Sequence, residues 1–232
     1  MLNLWFECNL CLMNALTIDV EPDFPPHYVS FKGLEGLKRL SEAVRDGGCG
    51  ATFFVCASLL EENPGVLDLL NGFEVGCHGL EHVDYTKLSG DEVDEHLVNS
   101  LDIFQNHGVK VLGFRAPYAR VNEIVLSAVA RYFKYDSSRN FWQSKPKNLK
   151  EFPLFTGGKM FGVNPVLFKT ACKIPVKDKV FFTHPWEYGG FDFERIIAKR
   201  QKMRILGYCK DNYSKNLDWI LGNGTKNLKS LL

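Results

Sequence analysis

The chain holds 232 residues, 45% of them hydrophobic and 24% charged, with a formal net charge of +1. That apolar fraction supplies a sizeable core and excludes disordered, collagen-like, coiled-coil and disulfide-stapled miniprotein classes, and the length suits one large domain over residues 1–232. So small a net charge gives no overall attraction to nucleic acid, although residues 1–139 hold 11 Lys and Arg against 20 Asp and Glu, and residues 140–232 hold 17 against 7.

Ala15–Val20 reads as a buried strand, followed by a loop turned by Pro22, Pro25 and Pro26. Leu34, Leu37, Leu40 and Val44 recur at helical spacing until Gly47 and Gly48 stop them. Ala51–Cys56 is a second strand. Pro64 opens a short helix with Val66, Leu67 and Leu70 inward, and Phe73–Cys77 is a third strand. Ser89 and Glu92 form a capping box ahead of Val93, Leu97, Leu101 and Phe104, and Gly108 ends that helix. Val111–Phe114 is a fourth strand, residues 122–132 a helix, and Phe133–Asp136 a fifth strand. Between Asn140 and Pro175, the prolines at 146, 153, 165 and 175 cut the chain into short pieces, strands or loops. Lys179–Thr183 is a strand, Phe193–Leu206 a helix and Leu217–Leu221 a last helical turn. Alternating strands and helices imply a mainly parallel sheet, and right-handed crossovers can close it into a barrel.

The seven cysteines are an odd number and several lie in apolar runs, which suits a cytoplasmic location. Cys8 and Cys11 have no second Cys or His pair to complete a zinc site. The first 13 residues lack the basic start of a signal peptide. No run reaches the roughly 18 apolar residues of a membrane span, so no transmembrane segment is expected. Arg195, Lys199, Arg200, Lys202 and Arg204 read as a solvated helix face.

In parallel α/β folds, functional groups collect after the carboxyl ends of strands. The polar residues found there are Asp19 and Glu21, His78 and His82, Arg115 to Tyr118, Asp136, and His184 to Glu187. Two imidazoles four apart, placed on one helical turn, can hold one divalent ion, and a carboxylate from another strand end would leave an open position for hydrolytic chemistry. His184 lies far away in sequence and suits proton donation near neutral pH. Trp186 fits either core packing or stacking on a sugar ring. His27, His96 and His107 read as solvated.

Thr17-Ile-Asp19-Val-Glu21-Pro22, His78-Gly-Leu-Glu-His82, Phe114-Arg115-Ala-Pro117-Tyr118, Tyr135-Asp136-Ser-Ser138 and Thr183-His184-Pro-Trp186-Glu187 together resemble the polysaccharide deacetylase family, the NodB-homology carbohydrate esterases. The last motif is most similar to members encoded with exopolysaccharide assembly systems. The resemblance covers residues 15 to about 190. It implies a single distorted (β/α)7 barrel with parallel strands, and hydrolysis of an N-acetyl group from an amino sugar of a glycan or lipid-linked precursor. His78 and His82 would bind one divalent ion, zinc by expectation, with an acid of the first motif. Asp19 would be the general base, oriented by Arg115, and His184 the general acid, held by Asp136. The Tyr118 backbone N–H would stabilise the oxyanion, with Pro117 and Trp186 beside the substrate.

The family's usual adjacent Asp-Asp pair is here Asp19-Val20-Glu21. Residues two apart in an extended chain face one side, so Glu21 is expected as the third ligand, with Asp19 as the alternative. Gly79 stands where Ser or Thr is common, which removes one hydroxyl beside the histidines. An amidohydrolase for cyclic amides or peptidoglycan-type substrates, and an inactive carbohydrate-binding barrel, are the competing readings.

Overall fold

The computed structural model describes residues 14–24, 28–29, 31–143, 146–189, 207 and 209–232. The Cys8/Cys11 pair, His27 and the helix expected over Phe193–Leu206 lie outside them. The chain runs β1 (Asn14–Val20), a hairpin of β2 (Asp23–Phe24) and β3 (Tyr28–Val29), α1 (Leu37–Asp46), β4 (Ala51–Val55), α2 (Ser58–Glu62), α3 (Val66–Leu69) and β5 (Glu74–Cys77). It continues through α4 (Gly90–Asn106), β6 (Gly113–Phe114), α5 (Glu123–Tyr132), β7 (Tyr135–Asp136), β8 (Lys150–Glu151) and β9 (Leu154–Thr156). The remaining elements are α6 (Gly158–Phe161), α7 (Pro165–Ala171), β10 (Lys179–Thr183), α8 (Pro185–Gly189) and α9 (Lys210–Gly222).

The main sheet has the order β8-β7-β6-β5-β4-β1-β10-β9, and all its pairings are parallel. Its two outer members, β8 and β9, are separated in the chain only by Phe152 and Pro153. The sheet therefore curls until its edges meet, and a bridge from Asn140 to Leu154 ties the chain beyond β7 to β9. Counting β8 and β9 as one strand broken at Pro153 gives the seven positions of the expected distorted barrel. Proline cannot donate a ladder hydrogen bond, so a break there is its ordinary effect.

Alternation along β1 divides the core. Leu16, Ile18 and Val20 join Leu37, Leu40, Val44 and Phe53 in the layer between sheet and helices. Ala15 faces the smaller inner cluster of Phe54, Tyr135, Phe152, Leu154, Val180 and Leu228. The interior is tight: a Cβ at Gly113 would lie 1.9 Å from the Tyr135 ring, so only glycine fits under that side chain. The capping box of α4 forms as expected, Glu92 N donating to Ser89 Oγ and Ser89 N to Glu92 Oε2. At the foot of the barrel, Lys226 N donates to the Asn14 carbonyl and Leu228 N to Thr52 Oγ1.

Some elements differ from expectation. The fourth strand pairs only at Gly113–Phe114, and α2 has too short an apolar run to be read from periodicity. The last helical turn extends to thirteen residues, because Tyr213 and Asn216 are buried beside Leu217, Ile220 and Leu221. Asn216 is no break: its side-chain amide donates to the carbonyls of Phe161 and Val163.

Candidate metal centre and active site

Asp19 is the next-to-last residue of β1 and Glu21 follows that strand. Both are buried at the rim while Val20 enters the outer core, as a period of two requires. His78 follows β5 directly, but the stretch from His78 to His82 is a bent loop, not the helical turn expected. Gly79 has φ +85°, a conformation that no α-helix accommodates. The loop still brings the rings together, with centroids 5.5 Å apart. Glu21 Oε2 lies 2.8 Å from His82 Nε2 and 3.4 Å from His78 Nε2.

These three side chains offer ligand atoms within 4.8 Å of one another, and among the described residues they form the one such His/Cys/Asp/Glu group. Asp19 is outside it. The donor set fits a divalent ion such as zinc. His78 Nδ1 lies 2.9 Å from the Arg115 carbonyl. That carbonyl can only accept, so Nδ1 carries the proton and the Nε2 lone pair faces Glu21. Burial pushes the Glu21 carboxyl up, but the charge of His184 and the close contacts with His78 and His82 outweigh it and hold the group well below the carboxylate range.

Arg115 follows β6 and is fully buried. One guanidinium nitrogen donates to Asp19 Oδ1 and Thr17 Oγ1, both at 2.7 Å. Nε and the other terminal nitrogen donate to the Ser137 carbonyl and Oγ, again at 2.7 Å. Phe54 and Phe182 flank the cation, 4.4 and 5.7 Å from their ring centroids. A rigid fork thus fixes the Asp19 carboxylate, leaving Oδ2 outside that hydrogen bond.

Pro117 is buried and starts a tight turn in which Tyr118 and Ala119 both have positive φ, 59° and 53°. Two successive non-glycine residues in this region mark local strain at the rim. The Tyr118 ring lies 4.4 Å from that of His82, and its hydroxyl donates to the His82 carbonyl.

His184 follows β10 with Nε2 turned toward the same centre, 3.9 Å from Glu21 Oε1. Its partner is not Asp136. His184 Nδ1 lies 3.1 Å from Glu187 Oε2, which also accepts from the His184 amide and from Thr183 Oγ1. Thr183 Oγ1 in turn contacts the Tyr213 hydroxyl. Burial opposes the imidazolium, but the Glu187 and Glu21 carboxylates outweigh it and raise the His184 pKa to about 9. Trp186 is 5% exposed and stacks on the His184 ring at 4.8 Å, so that ring face meets imidazole and not sugar.

Asp136 is engaged elsewhere. Its two oxygens accept from the Ser138 amide and hydroxyl, and Ser138 Oγ accepts from the Ala116 amide. Asp136 therefore anchors the strand end that carries Arg115. Its neighbour across the sheet is Glu151, where burial and the Asp136 charge push the carboxyl up to about 10. A carboxyl raised above its ordinary value near 4.5 stabilises the fold fully below that value and loses the contribution as pH rises toward the folded pKa. Thermal melts from mildly acidic to mildly alkaline pH should show a decline that Glu151→Gln reduces. An undiminished decline would mean that Glu151 is ionised throughout.

Glu187, Ser137, Ser138 and Glu151 are the site residues that sequence reasoning left without roles. Only Glu187 carried a signal, three residues from His184 on a short helix. His96, expected to be solvated, is partly buried with its ring edge-on to Tyr85 at 5.6 Å; His107 is exposed. A cavity of about 390 Å³ opens at the amino ends of the strands, lined by Glu74, Lys110 and Lys229 among others. It is at the opposite pole from this chemistry.

Comparison with known proteins agrees with the geometry. The family model of polysaccharide deacetylase matches residues 13–135. Peptidoglycan-N-acetylglucosamine deacetylase PgdA of Listeria monocytogenes is 33% identical over 118 residues, half of this chain but 23% of that protein; the chain thus spans about a quarter of its length. Among solved structures, peptidoglycan deacetylase PdaC from Bacillus subtilis superposes with TM-score 0.56 at 16% identity, over 94% of this chain and 89% of the other. A CE4 family pseudoenzyme from Bacillus anthracis gives 0.59 at 18%, over 95% and 65%. At these identities the structural likeness concerns the fold.

Proposed function

This chain belongs to the polysaccharide deacetylase family, and from that premise we propose that it is a metal-dependent N-deacetylase of an amino sugar in a glycan or glycan precursor. The observation that carries this reading is the convergence of Glu21, His78 and His82 with Asp19 on one side and His184 Nε2 on another. The reaction adds water across the acetamido C–N bond and yields acetate and a free amine.

Glu21, His78 and His82 would hold the ion, which when bound supplies Lewis acidity toward the amide carbonyl and an attacking water. Asp19, fixed by Arg115, accepts the proton of that water. The carboxylates around His184 favour its protonated imidazole, and it delivers a proton to the departing nitrogen. Glu187 holds its ring in place. The Tyr118 amide is the expected oxyanion donor. The likeness to PgdA, a peptidoglycan-N-acetylglucosamine deacetylase, supports an acetamido sugar as substrate; a lipid-linked precursor is a finer version of the same proposal.

The test separates ligand from base. Glu21→Ala should lower zinc affinity by about 10- to 100-fold or more, while Asp19→Asn should keep the metal and lose acetate release from N-acetylglucosamine oligomers. The reverse pattern would make Asp19 the ligand. Ring-opening of a cyclic ureide without acetate release would favour the amidohydrolase reading, and metal uptake without turnover on any acetylated glycan the inactive barrel.

A further inference from the structure

The loop carrying both imidazoles is short and non-helical, so something must fix its shape. Backbone bonds hold its first half: the His78 amide donates to the Val55 carbonyl, and the Gly79 and Leu80 carbonyls accept from the amides of Ala57 and Ser58. Leu80 N–H lies midway in sequence between the two histidines and points away from these anchors, to the Tyr85 hydroxyl at 2.9 Å. That hydroxyl occupies the space at Gly79 where a side chain would begin. A Cβ there would lie 2.8 Å from Tyr85 Oη and 2.9 Å from Cε2. Tyr85 is itself fully buried, edge-on to Phe114 and His96. It sits in a turn capped by Asp84, which accepts from Thr86 N and Oγ1 and pairs with Arg120 at 2.7 Å.

We propose that Tyr85 is a positioning residue for the metal centre, its hydroxyl bracing the His78–His82 loop from outside the motif in place of a hydroxyl at position 79. The glycine and the tyrosine then form one device: Gly79 supplies both the positive φ and the empty volume that admit Oη to the Leu80 amide. Removing Oη leaves a partly buried N–H unpaired at the apex of the loop, and the angle between the imidazoles loses its support. This inference rests on the reading of Glu21, His78 and His82 as ligands.

Zinc affinity, measured on the folded apoprotein by competition with a chromophoric chelator, tests it without any turnover assay. Tyr85→Phe should weaken zinc binding by the roughly 10- to 100-fold typical of outer support for metal ligands, with far-ultraviolet circular dichroism unchanged at the assay temperature. Gly79→Ala should weaken it too, because the new methyl displaces Oη. Gly72→Ala is the control: Gly72 has φ +87° with nothing within 4 Å of its Cβ, so it carries the same backbone strain without the collision and should bind zinc like the wild type. Tyr85→Phe with wild-type affinity would overturn the proposal, as would Gly79→Ala binding as tightly as Gly72→Ala. His82→Ala separates the two levels. If the wild type binds zinc, His82→Ala does not, and Tyr85→Phe matches the wild type, only the bracing role fails. If His82→Ala binds as the wild type does, the ligand reading fails with it.

Discussion

Substituting His184 with alanine is expected to cut turnover by about 10²- to 10⁴-fold, the usual worth of a lost acid or base, while zinc content stays at the wild-type level. His184 comes from β10, apart from the β5 loop that carries His78 and His82, and is outside the Glu21–His78–His82 group. Loss of zinc in His184→Ala would move this imidazole among the ligands and refute the assignment. A companion variant, Glu187→Gln, keeps the shape of the partner but removes its charge. Without that carboxylate the imidazolium loses one of the influences that raise it to about 9. Its proton then departs at lower pH, and the alkaline limb of the kcat profile should move down. Asp136→Asn, which does not touch His184, should leave the position of that limb unchanged.

Arg115→Ala should destabilise the fold by about 3–5 kcal/mol, the cost of breaking a buried ion pair from one side. The guanidinium is fully buried and its partner Asp19 is 4% exposed. Deleting it strands the buried Asp19 carboxylate, and leaves the Ser137 carbonyl without this donor. Urea unfolding checks the magnitude. Arg115→Lys should recover part of the loss at most, since an ammonium cannot span Thr17, Asp19 and Ser137 at once. A variant with wild-type stability would show that the site reorganises around the gap.

The five strand-end clusters were legible because parallel strands bury both faces, so each apolar run ends where polar side chains start. The period of two distinguished Asp19 and Glu21 from Val20, and both carboxylates do face the rim. The partner of His184 was not legible. Spacing locates a carboxylate at a strand end but not the direction of its oxygens, and those of Asp136 are taken by Ser138 two residues on. Glu187 reaches His184 because α8 starts at Pro185 and folds the last residue of the Thr183–Glu187 motif back toward that imidazole. The His78–His82 spacing predicted proximity correctly for the wrong backbone, since a loop with one left-handed glycine also brings such residues together. Likewise, the interrupted edge of the barrel could not be read between Asn140 and Pro175, where pairing with distant strands, not local pattern, decides which residues are extended.

The bond from Lys226 to Asn14 places the two ends of the folded barrel side by side. β1 then climbs from Asn14 to the rim at Asp19 and Glu21, about 20 Å at the usual rise per residue. Asn14 and Lys226 therefore meet at the pole farthest from the chemistry, clear of a long polymer crossing the rim. The same adjacency makes the barrel nearly cyclic in its wiring. A short linker from Leu232 to Asn14, with new ends opened at the exposed turn after α4, should preserve every strand neighbour in the sheet.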